Sequence, residues 1–312
     1  MKYLLQKPLQ IIINSLLEFF NIYIIFRVGY AVGDQLCMSS VIRLINKQHP
    51  FKIVVISSFP ELFENNPRVW RNYEVQVDYF GKFFVRILRF LTGKQLENFL
   101  FTNDNIVYED FMLKDQSKLH LSQVHSLHFK TQINFNEISN EIYLSELEIE
   151  KYKKKFDIKR TYAVIQPDSR KTIYASNKKW GFDKYQKVVT SLKEIRWIQV
   201  GIHGDLLLNG VENYVGMTSI RELAFIIKNA EFVLADEGLL NHVASSVGSK
   251  SFVVFSGLTP IEIAQYDDTI SIVNTPQVEC SPCMLRTKCP KKNKYCTDKI
   301  LVSQVINAIT SH

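Results

Sequence analysis

The segment 232–255 constrains the fold of this chain more than any other part of the sequence. It opens with an apolar run that ends at Asp236, which is typical of a buried strand, and Gly238 follows in a turn. Residues 239–247 have helical periodicity, and Ser251–Phe255 is a second apolar strand. A strand, a helix and a second strand in this order predict parallel α/β folding.

The start of this predicted helix has the chemistry of an anion site. The first backbone N–H groups of a helix have no partner inside it, and the helix dipole is positive there. Gly238 would let a ligand approach the backbone, and His242 would add a titratable donor in the first turn. We therefore expect a phosphate-bearing ligand at this turn.

The alternation of strands and helices continues on both sides of a charged stretch at 148–160. We place a domain boundary there, giving domains 1–155 and 156–312. Two doubly wound halves would bind ligands at the carboxyl ends of their strands, facing a cleft. The predicted strands are 21–28, 51–57, 74–79, 162–166, 197–202, 231–235 and 251–255, and the predicted helices are 34–48, 81–91, 182–195, 220–230, 239–247 and 298–309.

Composition and charge narrow the set of partners. The 312 residues are 46% hydrophobic, enough for substantial cores, and the formal charge of +7 favours acidic partners such as nucleotide phosphates or an anionic leaflet. The basic residues are dispersed and no nucleic-acid motif occurs, so we expect no nucleic-acid partner.

The first 20 residues are apolar but interrupted by polar residues, with no small-residue cleavage site. We expect neither a secretory signal nor a transmembrane helix, and hence a cytoplasmic protein. An amphipathic helix fits better. It would pack on its own domain, which we favour, or rest peripherally on the inner membrane.

Several polar residues at predicted strand ends could carry chemistry. Asp34 opens a helix, either as an ordinary N-cap or as a general base for an acceptor hydroxyl. Lys178, with Ser169 and Arg170 at the same edge, would hold phosphate; the alternative is a solvated loop. Asp205 would accept hydrogen bonds from a ribose or, equally, form a turn. Three irregularly spaced histidines are expected on a solvated or acceptor-facing surface: His120, His125 and His128.

Four thiols lie close together in the sequence, at Cys280, Cys283, Cys289 and Cys296. Disulfides are rare in a cytoplasmic protein, so this spacing favours a structural metal over free thiols. Four thiolates suit tetrahedral zinc or iron, and the surrounding lysines favour the thiolate form.

Motifs spread along nearly the whole chain resemble glycosyltransferase family nine, the bacterial ADP-heptose:lipopolysaccharide heptosyltransferases and their relatives. The similarity lies in their order and spacing. The motifs are Gly33-Asp34-x-Leu36, Glu61 to Pro67, Lys178-x-Trp180, Gly216-x-Thr218-x-x-x-Glu222-Leu223, Asp236-Glu237-Gly238-x-x-x-His242-x-Ala244 and Gly257-x-Thr259-Pro260.

This resemblance implies a GT-B fold, with two Rossmann-like domains facing a cleft. The acceptor would bind on the first domain and the nucleotide sugar, ADP-heptose in the leading hypothesis, on the second. It implies inverting sugar transfer with Asp34 as base, Lys178 on the diphosphate, and the turn from Asp236 to His242 around the phosphates and sugar. It implies no catalytic metal, since Lys178 and the helix N-terminus can carry the leaving-group charge.

Departures from the family pattern keep three functions open. The leading hypothesis is transfer to lipopolysaccharide or another surface glycan. The four thiols are similar to the iron-binding thiols of protein O-heptosyltransferases that modify autotransporters, which favours a protein acceptor. Glu237 replaces a neutral hydroxyl residue and His242 comes one residue late, which would suit a non-catalytic nucleotide-sugar-binding partner.

Overall fold

A computed structural model of the chain describes residues 12, 15–17, 19–27, 31–48, 51–75, 79, 83, 99–102, 119–127, 133–156, 158, 160–167, 176–285, 287–291 and 295–312. The chain forms two compact units, Met1–Tyr143 and Leu144–His312. The division precedes the charged helix rather than following residue 155, because that helix packs on the second unit. Its Glu148 pairs with Arg221.

The N-terminal unit contains a parallel sheet in the strand order β3-β2-β1-β4. The predicted strand at 74–79 is wrong in position, since β3 ends where that prediction begins. The predicted helix 81–91 lies mostly outside the described residues. The described strands are β1 Ile22–Arg27, β2 Lys52–Ser57, β3 Val69–Glu74 and β4 Phe99–Thr102, and the helices are α1 Val32–Leu36, α2 Met38–Gln48 and α3 Leu121–Leu127, with 3-10 turns at Pro60–Leu62 and Phe135–Glu137.

The expected surface position of the histidines is wrong for two of the three. His120 lies directly before α3 and His125 lies within it, and both are fully buried in this unit. The His120 ring nitrogen Nδ1 accepts a hydrogen bond from the Ser122 backbone N–H at 3.0 Å, which fixes the start of the helix. His128 lies outside the described residues.

The C-terminal unit contains a six-stranded parallel sheet in the order β10-β9-β8-β5-β6-β7. Along the chain, β6 and β7 follow β5 on one side of it, whereas β8, β9 and β10 lie on its other side. The strand order therefore reverses between β5 and β8. The strands are β5 Ala163–Gln166, β6 Trp197–Gly201, β7 Glu212–Val215, β8 Val233–Asp236, β9 Ser251–Phe255 and β10 Thr269–Val273. The helices are α4 Glu146–Lys155, α5 Phe182–Ser191, α6 Ile220–Lys228, α7 Leu239–Val247, α8 Tyr295–Asp298 and α9 Val302–Thr310, with a 3-10 turn at Ile261–Ala264.

Local sequence explains the central elements of this unit. Every residue of β8 and β9 is buried, as expected for parallel strands that are covered on both faces. The Ser219-x-x-Glu222 pattern forms a capping box at the start of α6. Gly248 ends α7 in the left-handed conformation, with φ 70°, which glycine adopts without steric cost.

The prediction of an α/β protein with two Rossmann-like domains is confirmed, because each unit has a parallel sheet with helical crossovers. The second unit has the full Rossmann strand order. Among the described residues, no helix is long and apolar enough to cross a bilayer.

Candidate functional site

The candidate site of the C-terminal unit lies where the strand order reverses, at the carboxyl end of β8. Asp236 is the last residue of this strand and is buried. Its carboxylate accepts hydrogen bonds from the Trp180 backbone N–H, at 3.2 Å, and from the Tyr185 hydroxyl, at 2.8 Å. Asp236 therefore fixes the segment before α5, which carries Lys178, against the end of β8.

Lys178 and Glu237 form a buried ion pair at this edge. The Lys178 Nζ atom lies 2.5 Å from Glu237 Oε2, and the two side chains are only 13% and 7% exposed. Thr259, after β9, donates its hydroxyl to the same oxygen at 3.2 Å. Burial raises the pKa of Glu237, but the positive charge and hydrogen bond of Lys178 outweigh it, so the pKa lies below its ordinary value.

His242 lies in the first half of α7, buried beside this pair. Its Nδ1 atom shares a hydrogen bond with the Tyr266 hydroxyl at 2.5 Å, and the two rings meet edge to face. Burial lowers the pKa of His242 to about 4, against the opposing effect of Glu237. The imidazole is therefore neutral near pH 7, and it can offer one N–H donor or one acceptor nitrogen.

Gly238 caps α7, but its backbone does not require glycine. Its φ of 164° is an extended conformation that any residue adopts, and no side chain caps the helix there. A Cβ atom added at this position would meet its nearest neighbour, the Asp236 carbonyl oxygen, at an ordinary 3.9 Å. The local geometry leaves the helix N-terminus without a side-chain cap, which suits an anionic ligand.

The cysteine segment packs against the same edge of the sheet. Cys283 and Met284 donate backbone N–H groups to the carbonyl oxygens of Gly257 and Leu258, which follow β9. Asn177, next to Lys178, donates to the carbonyl oxygens of Leu285 and Thr287. The segment thus connects the strand end to the lysine segment.

The expected metal ligands do not form a coordination site in this arrangement. Burial raises the pKa of the Cys296 thiol, and the proximity of Cys283 and Cys280 raises it further. No group of three or more Cys, His, Asp or Glu side chains within the described residues is arranged to hold a metal ion. Cys280 is exposed, and Cys289 is half-buried. The thiol chemistry suits zinc or iron, but the observed placement does not.

Asp205 serves the turn after β6. Its Oδ2 atom accepts a hydrogen bond from the Ile202 backbone N–H at 2.9 Å, and its own N–H donates to the Ile202 carbonyl. This is the turn-forming role that the sequence left open beside ribose binding. Ser169 and Arg170 lie outside the described residues.

In the N-terminal unit, Asp34 follows β1 and lies within α1. The N-cap of this helix is Ala31, so the interpretation of Asp34 as the N-cap is wrong. Asp34 is buried in the first turn, with 9% of its surface exposed.

The structure adds two residues that no sequence pattern singled out for the site, Tyr185 and Tyr266, and a contact of Trp180 that its motif does not predict. Trp180 and Tyr185 hold Asp236, and Tyr266 holds His242. Trp180 belongs to the Lys-x-Trp motif, but its use of a backbone N–H carries no sequence signal. The two tyrosines contact the site across long separations in sequence, which periodicity does not report.

Taken together, the lysine, the open helix N-terminus and the neutral histidine can bind an anionic group at the switch point of a Rossmann-like domain. Such a site is typical of nucleotide-binding proteins. Residues 104–294, more than half of the chain, match the family model described as glycosyltransferase family 9 (heptosyltransferase). The chain therefore belongs to glycosyltransferase family 9, as the sequence motifs predicted.

Solved structures share the fold. A family-nine glycosyltransferase from Veillonella parvula superposes with a TM-score of 0.67 at 13% identity, covering 93% of this chain and 96% of its own. The ADP-heptose lps heptosyltransferase II of E. coli gives 0.64 at 12% identity, covering 92% and 97%. The iron-containing dodecameric glycosyltransferase TibC of enterotoxigenic E. coli gives 0.61 at 14% identity, covering 93% and 75%. The sequence matches none of the curated proteins with which it was compared.

Proposed function

We propose that this chain is an inverting heptosyltransferase that moves heptose from ADP-heptose to lipopolysaccharide or another surface glycan. The observation that carries this proposal is Lys178, buried against the end of β8 within the region that matches the family model. A lysine there can neutralise the diphosphate as the bond from the anomeric carbon to the phosphate oxygen breaks. The N-terminal unit would bind the acceptor and the C-terminal unit the donor.

The residues divide the reaction into two tasks. Lys178, Gly238 and the N-terminus of α7 would bind the diphosphate, with His242 as a neutral hydrogen-bonding group beside it. Asp236 would act through the segment it holds, as a positioning residue. Asp34 would accept the proton of the acceptor hydroxyl while that oxygen attacks the anomeric carbon. Attack opposite the leaving group inverts the anomeric centre, and no step uses a divalent metal.

The test is a donor screen with the purified chain, followed by the mass of the product. We expect heptose transfer from ADP-heptose, and Asp34→Asn should lower kcat by roughly a thousandfold while the affinity for ADP stays the same. Asp183→Asn is the matched control, because Asp183 is exposed on α5. Undiminished turnover by Asp34→Asn would refute its role as base, and binding of ADP-heptose without any turnover would favour the non-catalytic hypothesis.

A protein acceptor is the second candidate, favoured by the spacing of the four thiols. TibC, which shares the fold, is described as an iron-containing heptosyltransferase. Mass spectrometry of an autotransporter co-expressed with this chain decides between the two acceptors. An unmodified autotransporter, with donor supply confirmed, would exclude the protein acceptor.

Structural iron or zinc at Cys280, Cys283, Cys289 and Cys296 remains part of this second proposal. It requires these side chains to rearrange from their described positions. Metal analysis of the purified chain should find one equivalent, which a variant with all four thiols changed to serine should lose. A folded, metal-free wild-type protein with four reactive thiols would overturn the metal proposal and leave the transferase proposal intact.

A cytoplasmic location with peripheral contact to the inner membrane completes the proposal. Four apolar side chains near the N-terminus are at least half exposed: Ile12, Leu16, Phe19 and Phe20. The first three of them lie on helical residues. Such a surface suits the boundary of a bilayer. Flotation with anionic vesicles tests it, and a chain that stays in the soluble fraction would contradict it.

A further inference from the structure

The Lys178–Glu237 pair gives the candidate phosphate site a fixed negative charge. The Oε2 atom of Glu237 contacts both Lys178 and Thr259. The ammonium group of a lysine has three N–H donors, so Lys178 can bind a phosphate oxygen without leaving Glu237. A bound diphosphate would then have a carboxylate as its neighbour, in surroundings where charges interact more strongly than in water.

The two nucleotides that must use this site differ in charge. In an ADP-sugar, each phosphate is substituted on both sides and carries one negative charge. When the bond to the anomeric carbon breaks, its electron pair remains on the phosphate oxygen, and the acceptor proton goes to the base. The terminal phosphate of ADP has a second pKa of about 6, so above that pH the product carries one more negative charge than the donor.

We propose that Glu237 is a specificity-determining residue of the donor site, whose carboxylate disfavours ADP relative to the ADP-sugar and so promotes product release. This inference rests on the proposed function, since it requires the diphosphate to bind at Lys178. The position of the carboxylate is fixed by three elements. Glu237 follows β8, Lys178 precedes α5 and Thr259 follows β9.

The carboxylate keeps its charge over the pH range in which ADP changes its own. Among the residues that the structure describes, Lys178 and, from α7, His242 are the charged and titratable groups that act on Glu237. Lys178 keeps the pKa of Glu237 below its ordinary value, and the low pKa of His242 leaves that ring neutral above pH 6. A change in relative affinity between pH 6 and pH 8 therefore reports the ionisation of the terminal phosphate.

The experiment measures the dissociation constants of ADP and of ADP-heptose, without acceptor, by calorimetry at pH 6 and pH 8. Glu237→Gln removes the charge and keeps an oxygen for Lys178. Glu237→Thr places a neutral hydroxyl residue there, as in the family pattern. Glu231→Gln is the matched control, because it removes the same charge from an exposed position just before β8, at the opposite end of the strand.

At pH 8, Glu237→Gln should tighten ADP binding by about tenfold and ADP-heptose binding by only about threefold. At pH 6, where about half of the ADP carries the additional charge, the two factors should lie closer together than at pH 8, and Glu231→Gln should change neither. Equal tightening of both ligands at pH 8, or none, would overturn the inference. If both Glu237 variants fail to fold, the wild type alone decides: ADP affinity must fall relative to ADP-heptose from pH 6 to pH 8. Failure of the wild type to bind either nucleotide would overturn the proposed function itself.

Discussion

Two carboxylate–cation pairs in the C-terminal unit have similar burial and opposite character. Glu148 of α4 receives two hydrogen bonds from Arg221 of α6, at 2.5 and 2.8 Å, one on each carboxylate oxygen. Glu237 receives one from Lys178, at 2.5 Å, and shares that oxygen with Thr259. The arginine pair is bidentate and joins two helices, whereas the lysine pair joins the segment before α5 to the end of β8.

The difference separates a carboxylate that is used on both oxygens within the unit from the carboxylate at the proposed donor site. Glu148 also accepts hydrogen bonds from Ser145 and Tyr152, so both of its oxygens are used within the unit. A planar guanidinium matched to a carboxylate has its geometry satisfied by that one partner. A lysine is a point charge that can contact a second anion without losing the first. Only the lysine pair lies at the switch point of the sheet.

Breaking the arginine pair should give the largest loss of stability. Arg221→Ala should lower the free energy of unfolding of the C-terminal unit by about 3 kcal/mol, because it leaves Glu148 partly buried without its cation. ADP affinity of the folded protein should not change. Chemical denaturation measures the loss, and Arg160→Ala, an exposed arginine of the same unit, is the control. A loss below about 0.5 kcal/mol would mean that the pair resembles an exposed salt bridge.

Neutralising the lysine pair should lower activity and leave the free energy of unfolding almost unchanged, which is the opposite of the result expected for the arginine pair. The double variant Lys178→Gln with Glu237→Gln removes both charges, so no buried ion is left unpaired. It should lower kcat/KM for the donor by roughly a hundredfold, because the leaving diphosphate loses its cation. The free energy of unfolding should change by less than about 1 kcal/mol.

Lys187→Gln is the control for this variant, since Lys187 is exposed on α5. A double variant with wild-type kcat/KM would assign the lysine pair to structure alone and remove the contrast with Glu148 and Arg221.

Acid should weaken the arginine pair gradually. The hydrogen bonds from Arg221 lower the pKa of Glu148 from 4.5 to about 2. The pair therefore contributes its full stability above about pH 4.5 and loses it as the pH falls towards 2. Denaturation at pH 5, 4 and 3 should show a decline that is smaller in Glu148→Gln, which has no carboxylate to protonate. Parallel declines in both proteins would contradict the lowered pKa.

The sequence predicted the central strands of the C-terminal unit better than its edges. The bounds of α7 and β9 are as predicted, because buried parallel strands and an amphipathic helix have strong patterns. The edge strands β7 and β10 were missed, since both are short and only partly buried. The predicted final helix, 298–309, begins four residues later, as α9 at Val302, because α8 ends at Asp298 and the Trp180 indole N–H binds the Ile300 carbonyl oxygen between them.

The sequence predicted where the candidate site lies but not which of its residues contact one another. Asp236 could be found from its position at the end of a predicted strand, and Lys178 from its position before a predicted helix. The sequence could not give the pairing of Lys178 with Glu237, or the contacts of Asp236 with Trp180 and Tyr185. These contacts join residues more than 50 positions apart, through side-chain directions that only the packed fold sets.

A crystal structure of the chain with ADP would show whether Lys178 binds the diphosphate at the end of β8. We expect a phosphate oxygen within about 3 Å of Lys178 Nζ, with other phosphate oxygens at the N-terminal N–H groups of α7. A diphosphate bound elsewhere, with Lys178 still contacting only protein groups, would contradict it.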